Sequence, residues 1–364
     1  MTNSTVSLDD KYSIESGRIF VTGVQALARI PMVQRQRDVL EGLNTAGFIS
    51  GYRGSPVGGF DQQLWRAKKF LEQNHIRFQP GLNEDLAASA IWGSQQTNLH
   101  EGGKYDGVFA IWYGKGPGVD RCGDVFKHGN MSGPAKHGGV LLIAGDDHAA
   151  KSSTVPHQSE YAFMDASIPV LNPAGVQDIV DYGILGFAMS RFSGCWVAFK
   201  TTAENMDSSA SIDVSPDRVQ ISLPKFDMPE DGLSIRWPDD WIEQEHRLHQ
   251  YKLNAVRAFA RQNKIDKTII NSQNPKLGVV TTGKSYLDVR QALEDLGINE
   301  AKADKIGLRL YKVGMPWPLE PQGIDEFSQG LKEILVIEEK RPIIESQLKE
   351  HLFNHAPKNR PNVV

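Results

Sequence analysis

The chain has 364 residues, of which 40% are hydrophobic and 23% charged, a composition typical of a globular protein with two or three domains. Its net charge of −4 argues against a non-specific nucleic-acid binder, which requires a basic face. No apolar run is long enough for a transmembrane helix, and the polar arm at residues 1–16 lacks the apolar core of a signal peptide. We therefore expect no membrane contact and a cytoplasmic location.

Residues 17–215 predict an α/β domain with a doubly wound parallel sheet. Its strand candidates are mostly continuous apolar runs, and helix-like stretches separate them. Fully apolar strands alternating with helices are typical of a parallel sheet that is covered on both faces. The strand candidates are residues 18–22, 48–52, 76–79, 108–113, 138–144, 168–171 and 195–199, and the main helix candidates are 24–40, 61–74, 86–98 and 176–192.

The remaining residues predict a connection followed by a smaller α/β domain. Prolines interrupt the connecting segment 216–275, which also holds one long charged helix at 241–263. A second α/β domain follows at 276–353. The polar tail 354–364 predicts no regular structure.

A glycine-rich segment at residues 51–60 follows one strand candidate and precedes a helix. Glycine lets a backbone approach a ligand closely, and ligands of open α/β sheets bind beyond the carboxyl ends of strands. The segment alone is equally consistent with a turn that binds nothing. Glu84 lies one βα unit later, where Asn83 is a candidate N-cap and an alanine-rich helix follows. A lone carboxylate there is commonly a surface partner of the helix dipole, but the apolar setting favours a ligand site.

A second glycine-rich loop, Gly-Lys-Gly-Pro-Gly at 114–118, follows the strand candidate 108–113. It matches neither the P-loop nor the dinucleotide-binding pattern, and we expect it to line a cleft at the strand ends. Within it, Lys115 either pairs with a substrate carboxylate or is simply solvated.

We predict no metal site in this chain. Asp146 and Asn172 superficially resemble a magnesium–diphosphate motif, but Asp147 replaces its usual glycine and Asn172 follows a strand directly. His351 and His355 are four residues apart but lack the glutamate of a zinc-protease helix.

The chain contains two cysteines, Cys122 and Cys195, which lie far apart and outside any Cys-x-x-Cys pattern. Two thiols cannot hold a four-cysteine iron–sulfur cluster. Any redox metal is therefore expected in another segment or subunit.

Several segments together resemble the thiamine-diphosphate-dependent 2-oxoacid:ferredoxin oxidoreductases, in particular the fused indolepyruvate ferredoxin oxidoreductase. The resemblance covers residues 12–352, and its most specific block is residues 144–160. The matching segments are Gly-Tyr-Arg-Gly-Ser-Pro at 51–56, Leu-Asn-Glu-Asp-Leu at 82–86, Tyr-Gly-Lys-Gly-Pro-Gly-Val-Asp-Arg at 113–121, the block 144–160, Lys-Val-Gly-Met-Pro-Trp-Pro at 312–318 and Val-Ile-Glu-Glu at 336–339.

This resemblance implies a thiamine pyrimidine-binding domain at 17–215 and a transketolase C-terminal-like domain at 276–353. Glu84 matches the family's acidic residue, which hydrogen-bonds the cofactor's aminopyrimidine N1′. In the loop that faces the thiazolium and the substrate, Ser55 takes a threonine position. Arg53 replaces a proline there and is suited to pair with a 2-oxoacid carboxylate. The residues expected to bind cofactor or substrate are Tyr52, Arg53, Gly54, Ser55, Pro56, Lys115 and Gly116.

The resemblance further implies a reaction in which a 2-oxoacid such as indolepyruvate is oxidatively decarboxylated to an acyl-CoA. Thiamine diphosphate would sit in a shared site, and electrons would pass to ferredoxin. Mg²⁺ and [4Fe–4S] clusters are expected outside this chain, in diphosphate-binding and iron–sulfur domains or subunits, and the assembly is expected to be a homodimer. Two alternatives stay open: a non-catalytic binding or assembly module of the same fold, and another thiamine-dependent transferase.

Overall fold

The computed structural model describes residues 6–151 and 154–364, without the side chain of residue 358. Residues 1–5 of the predicted arm and 152–153 of the block 144–160 lie outside the described residues. The strands are β1 (Arg18–Thr22), β2 (Ala46–Gly51), β3 (Ile76–Phe78), β4 (Val108–Lys115), β5 (Val140–Gly145), β6 (Val170–Leu171), β7 (Val197–Thr201), β8 (Ser209–Asp213), β9 (Lys267–Ile270), β10 (Leu277–Thr282), β11 (Leu308–Val313), β12 (Glu333–Ile337) and β13 (Asn362–Val363).

The helices lie mainly between these strands. They are α1 (Asp10–Ser13), α2 (Gly23–Leu40), α3 (Phe60–Arg66), α4 (Lys68–Gln73), α5 (Glu84–Ser94), α6 (Gly116–Arg121), α7 (Gly123–Ser132), α8 (Glu160–Asp165), α9 (Val176–Ser193), α10 (Ala203–Asp207), α11 (Trp241–Arg247), α12 (Leu253–Gln262), α13 (Gly283–Asp295), α14 (Glu300–Ile306), α15 (Pro321–Ser328) and α16 (Ile344–Leu352). None of the helices in the described part of the chain is long and apolar enough to cross a bilayer.

The larger sheet has the strand order β3-β2-β4-β5-β7-β6, and all of its pairings are parallel. Side chains of a strand alternate between the two faces. In β4, Ile111 therefore joins the core under α2, α3 and α9, whereas Trp112 joins the core under α5, α7 and α8. Burial on both faces explains why β4 and β5 are apolar without interruption. The predicted doubly wound α/β fold is confirmed.

The first strand does not join this sheet. Instead β1 forms a separate antiparallel ribbon with β8, almost 200 residues later, and Ile19 and Val21 face the core while Phe20 is exposed. At the ribbon's end, Thr22 and Gln25 form a capping box that starts α2. Gly23 is required at this corner, since a β-carbon there would lie 1.9 Å from the carbonyl oxygen of Asn205.

The smaller sheet has the order β13-β12-β10-β11-β9, with β9 antiparallel to β11 and the other pairings parallel. Two sequence predictions were wrong here. The connecting segment was predicted to run to residue 275, yet β9 lies within it and forms an edge of the sheet. The tail 354–364 was predicted to be unstructured, yet β13 pairs with β12 at the opposite edge. The polar arm also contains a helix, α1, whose Tyr12 is buried.

The long helix predicted at 241–263 forms α11 and α12, which a π-helical turn at Leu248–Lys252 joins. Its buried residues Leu248, Val256 and Phe259 belong to the core of the larger sheet. A main-chain hydrogen bond also connects the larger sheet to the smaller domain. Val170 N, in β6, donates to the carbonyl oxygen of Trp317, in the loop after β11, at 2.7 Å.

Candidate active site

Three neighbouring strands of the larger sheet end at the same edge. Their registers pair Gly51 with Tyr113 and Lys115 with Gly145, so the loops that follow β2, β4 and β5 emerge side by side. Tyr52 N extends this register by donating to the carbonyl oxygen of Tyr113 at 3.0 Å. This edge is where parallel α/β sheets bind ligands, and it holds the residues that the sequence singled out.

The loop at residues 52–56 lies directly on the loops from β4 and β5. A β-carbon at Gly54 would fall 2.7 Å from Cδ of Lys115, and one at Gly145 would fall 2.7 Å from Cδ of Pro56. A larger residue at either glycine would therefore have to displace the side chain that packs on it. Tyr52 and Arg53 are exposed at the rim, whereas Gly54, Ser55 and Pro56 are half-buried.

Glu84 is the first residue of α5, and Asn83 caps this helix by accepting a hydrogen bond from Leu86 N at 2.8 Å. The Glu84 side chain is only 6% exposed, which sets it apart from a surface partner of the helix dipole. Its backbone is also anchored, because the indole Nε1 of Trp112 donates to the carbonyl oxygen of Glu84 at 2.9 Å. The fixed backbone holds the carboxylate over the end of β4.

The loop after β4 forms a glycine floor under this carboxylate. A β-carbon at Gly114 would lie 3.4 Å from Cγ of Glu84, and one at Gly118 would lie 2.5 Å from the same atom. Gly116, between them, is in equally close contact with the ring of His157. The structure thus brings Glu84, Lys115, Gly116 and the loop 52–56 together around the end of β4.

The nearest cation to Glu84 is Arg121, whose guanidinium nitrogen lies 3.8 Å from Oε2 on a side chain that is 58% exposed. Among the described residues, the Glu84 carboxylate accepts no hydrogen bond. A buried carboxylate without a donor is costly, so this group is suited to accept one from a ligand. A buried carboxylate above a glycine backbone has the chemistry to form a hydrogen bond with a ring nitrogen of a flat heterocycle such as an aminopyrimidine.

His157 is a neighbour that the sequence did not single out as a site residue. Its Nε2 lies 2.8 Å from Oδ2 of Asp120, and its ring covers Gly116. Burial lowers the pKa of His157, but the hydrogen bond to Asp120 and nearby carboxylates outweigh this and raise it above its ordinary value. Asp120 and His157 are 37 residues apart in sequence, and the one local signal was the series of glycines at 114–118.

The acidic pair after β5 has two different environments. Asp146 accepts hydrogen bonds from both N and Oγ of Ser159, at 2.7 and 2.5 Å, and Asn172 donates to Oγ1 of Thr282 in the smaller domain at 3.2 Å. Both therefore make structural contacts. Asp147 is 4% exposed, and its two carboxylate oxygens have no partner among the described residues. The sequence analysis did not select Asp147.

Comparison with known proteins finds a matching protein family for part of the chain. Residues 266–364 match the family described as the indolepyruvate ferredoxin oxidoreductase middle domain. The range begins at β9, so it agrees with the smaller sheet in including the strand that the sequence analysis had left in the connecting segment.

Curated relatives match nearly the whole chain. The indolepyruvate oxidoreductase subunit IorA of Pyrococcus abyssi is 26% identical over 351 residues, which cover 93% of this chain and 48% of that protein. The IorA subunit of Methanothermobacter thermautotrophicus is 25% identical over 340 residues, with 92% and 48% covered. The chain therefore spans about half the length of the curated relatives it matches.

A solved structure has a similar fold. The 2-oxoglutarate:ferredoxin oxidoreductase from Magnetococcus marinus superimposes with a TM-score of 0.68 and 15% sequence identity, over 95% of this chain and 62% of that one. In fold and in sequence, the chain is thus similar to 2-oxoacid:ferredoxin oxidoreductases. Both the matched middle domain and the curated IorA relatives are named for indolepyruvate. The resemblance predicted from the sequence is confirmed by these similarities.

Proposed function

We propose that this chain forms the pyrimidine-side half of a thiamine-diphosphate site in an enzyme that oxidatively decarboxylates indolepyruvate or a related arylpyruvate. In this proposal the acyl group passes to coenzyme A and the electrons to ferredoxin. The diphosphate-binding and iron–sulfur parts of the enzyme lie outside these residues. The observation that carries the proposal is the buried carboxylate of Glu84. It lies above the glycines at 114 and 118, and it accepts no hydrogen bond from any described residue.

Thiamine diphosphate, when bound, supplies a nucleophilic carbon and an electron sink for decarboxylation. Glu84 would face its aminopyrimidine N1′ and hold or release a proton at a carboxylate oxygen. Trp112 fixes the Glu84 backbone through its hydrogen bond, and the backbone of Gly118 packs against the Glu84 side chain and limits how close it can come to the loop after β4. Because both contacts are rigid, the distance from the carboxylate to the ring would be set before the cofactor arrives.

The rim of the site supplies the groups for the substrate. Arg53 is exposed, and its planar guanidinium is suited to bind a carboxylate through two hydrogen bonds. Lys115 lies against Gly54, so its position depends on the same loop. We assign to these two cations the binding and orientation of the 2-oxoacid carboxylate, and to Tyr52 and Pro56 the apolar wall beside it.

The cysteines support the assignment of electron transfer to other parts of the enzyme. Burial raises the pKa of Cys195 to about 11 and also raises that of Cys122. Iron–sulfur clusters bind thiolates, and both buried thiols here resist ionisation. The clusters would therefore bind to cysteines of the parts outside this chain.

The test is the variant Glu84→Gln in the complete enzyme, with the diphosphate-binding and iron–sulfur parts present. We expect indolepyruvate-dependent ferredoxin reduction to fall on the order of 100-fold to 10,000-fold, the range for loss of a proton-transferring side chain. Glu72→Gln is the matched control, since Glu72 is 65% exposed and forms a surface ion pair with Lys68. Circular dichroism would show whether both variants keep the fold.

Turnover of Glu84→Gln equal to that of the wild type would contradict the role given to Glu84. Activity that persists without any ferredoxin or substitute electron acceptor would favour a thiamine-dependent transferase. Failure of the wild-type enzyme to bind thiamine diphosphate, measured by calorimetry, would favour a non-catalytic module.

A further inference from the structure

Three side chains with metal-binding atoms converge in the smaller domain, away from the site around Glu84. Nε2 of His351 lies 2.7 Å from Oδ1 of Asp325, and Nε2 of His355 lies 3.5 Å from the same oxygen. One ligand atom from each residue falls within 4.8 Å of the other two. The three side chains are between 29% and 41% exposed, so the cluster is open to solvent on one side.

Two packed helices hold Asp325 and His351 in place. Asp325 lies in α15, next to Ile324, which is fully buried in the domain core. His351 lies in the last turn of α16, where Leu348 and Leu352 are buried in the same core. His355 follows the helix end, and its ring centroid lies 5.3 Å from that of His351. Two of the three ligands therefore lie on packed helices, which limits how far these two can move apart.

The spacing of the three atoms suits a small, tetrahedrally coordinated cation. Ligand bonds of about 2.0–2.2 Å at tetrahedral angles separate neighbouring donor atoms by about 3.4 Å. The observed 3.5 Å matches that spacing, whereas the 2.7 Å contact is a hydrogen-bond distance that would have to lengthen when a metal binds. Both imidazoles already direct the same nitrogen, Nε2, towards the carboxylate.

The donor types select the class of metal. Two imidazole nitrogens and one carboxylate oxygen favour zinc-type transition metals over Mg²⁺ or Ca²⁺, which prefer oxygen ligands alone. Three protein ligands leave a fourth position for water, as in open zinc sites. We propose that Asp325, His351 and His355 form a binding site for one divalent transition-metal ion, with zinc as the favoured ion.

A metal at this site would join the end of α16 to α15. The chain runs on from His355 to β13, which forms the edge of the smaller sheet. A bound ion would therefore fasten the segment that leads into this edge strand. The stabilisation follows mass action and grows with the concentration of free metal.

The test uses the full chain freed of metal with a chelator. Zn²⁺ binding is measured by competition with a chromophoric chelator, and Co²⁺ binding by its visible absorption. We expect one ion per chain and tetrahedral Co²⁺ absorption. His351→Ala, His355→Ala and Asp325→Asn should each weaken Zn²⁺ binding by about tenfold or more. His100→Ala is the matched control, because His100 is exposed and lies outside the cluster.

Zn²⁺ should also raise the unfolding temperature of the wild type and of His100→Ala, but not of the three ligand variants. Circular dichroism and the unfolding temperature without metal report whether each variant folds. Absence of stoichiometric Zn²⁺ binding by the folded wild type would overturn the proposal. So would equal affinities of the wild type and the folded ligand variants, and the three residues would then form a hydrogen-bonded cluster only.

Discussion

The backbone of Gly118 meets the side chain of Glu84 so closely that a β-carbon on residue 118 would lie 2.5 Å from Cγ and 2.9 Å from Oε1 of the glutamate. Real β-carbons do not approach other atoms this closely, so any larger residue at position 118 must displace the carboxylate or the loop. The position of Glu84 is thus controlled by a residue that carries no side chain.

Gly118→Ala should therefore impair catalysis without removing any reactive group. A shift of about 1 Å at a reacting group lowers turnover on the order of 100-fold, and we expect a loss of that size in the complete enzyme. Gly123→Ala is the control, because a β-carbon at Gly123 meets nothing within 4 Å. The steady-state rate of ferredoxin reduction is measured for both variants. Equal rates would show that the contact between Gly118 and Glu84 does not control catalysis.

A buried ion pair between Asp38 and Arg191 should contribute strongly to stability. Two guanidinium nitrogens of Arg191 donate to the two oxygens of Asp38 at 2.6 and 2.8 Å, and Asp38 is almost fully buried. Arg191→Met leaves this buried carboxylate with its hydrogen bonds from Gln34 and Thr45 but without its counter-charge. The free energy of unfolding should fall by about 3 kcal/mol, the lower end of the range for breaking a buried ion pair. Urea denaturation measures the change.

The exposed pair of Lys68 and Glu72 provides the comparison for that variant. Both side chains are more than 60% exposed, and their charged atoms are 3.8 Å apart. Lys68→Met should change the unfolding free energy by less than about 1 kcal/mol. A loss for Arg191→Met no larger than this would show that the buried pair is not a major source of stability.

Two helix glycines should respond in opposite directions to alanine. Gly183 lies where α9 crosses α2, and a β-carbon there would fall 2.6 Å from Cδ1 of Ile30. Gly183→Ala should cost about 1–3 kcal/mol by overpacking. Gly93 in α5 is exposed with open space around it, so Gly93→Ala should stabilise by up to about 1 kcal/mol. Thermal unfolding distinguishes the signs, and stabilisation by both would refute the tight crossing.

The stability of the smaller domain should depend on pH through Asp266. Burial raises its pKa from 3.8 to about 7, although the carboxylate accepts hydrogen bonds from N of Gly314 and Met315. The folded state then binds a proton that the unfolded state has already released. Stability should fall as the pH rises from about 4 to 7 and level off above that range.

Asp266→Asn should remove this slope, because asparagine keeps an acceptor for the two amides and carries no titrating proton. Denaturation midpoints in buffers across that pH range measure the dependence for both proteins. An unchanged slope in Asp266→Asn would assign the pH dependence to another group.

The sequence predicted those parts of the fold that depend on local pattern. The apolar run that forms β4 and the glycine that opens α2 are visible in a short window, and both elements were found. The pairing of β1 with β8 was not predictable, because the local sequence of a five-residue strand does not determine which distant strand it pairs with. β13 is only two residues long and shows no periodicity, so its place at the sheet edge depends on tertiary contacts alone.

The candidate site shows the same division. The glycine-rich loops and Glu84 were selected from sequence because each carries its own signal, and the parallel sheet brings them to one edge. His157, Arg121 and Asp147 were not selected as site residues, since a histidine, an exposed arginine and one member of an acidic pair become notable only through their neighbours in space. Asp325 was missed likewise, because it reaches His351 from another helix.

The π-helical turn at Leu248–Lys252 has a consequence for dividing this chain. It directs Nζ of Lys252 into the larger domain, where the ammonium donates to the carbonyl oxygens of Asn130 and Met131 in the last turn of α7. The long helix is thus attached to the larger domain by a polar anchor as well as by its apolar face. A fragment that ends before Trp241 would expose that face and leave the end of α7 uncapped. A boundary for separate expression belongs between Gln262 and Lys267.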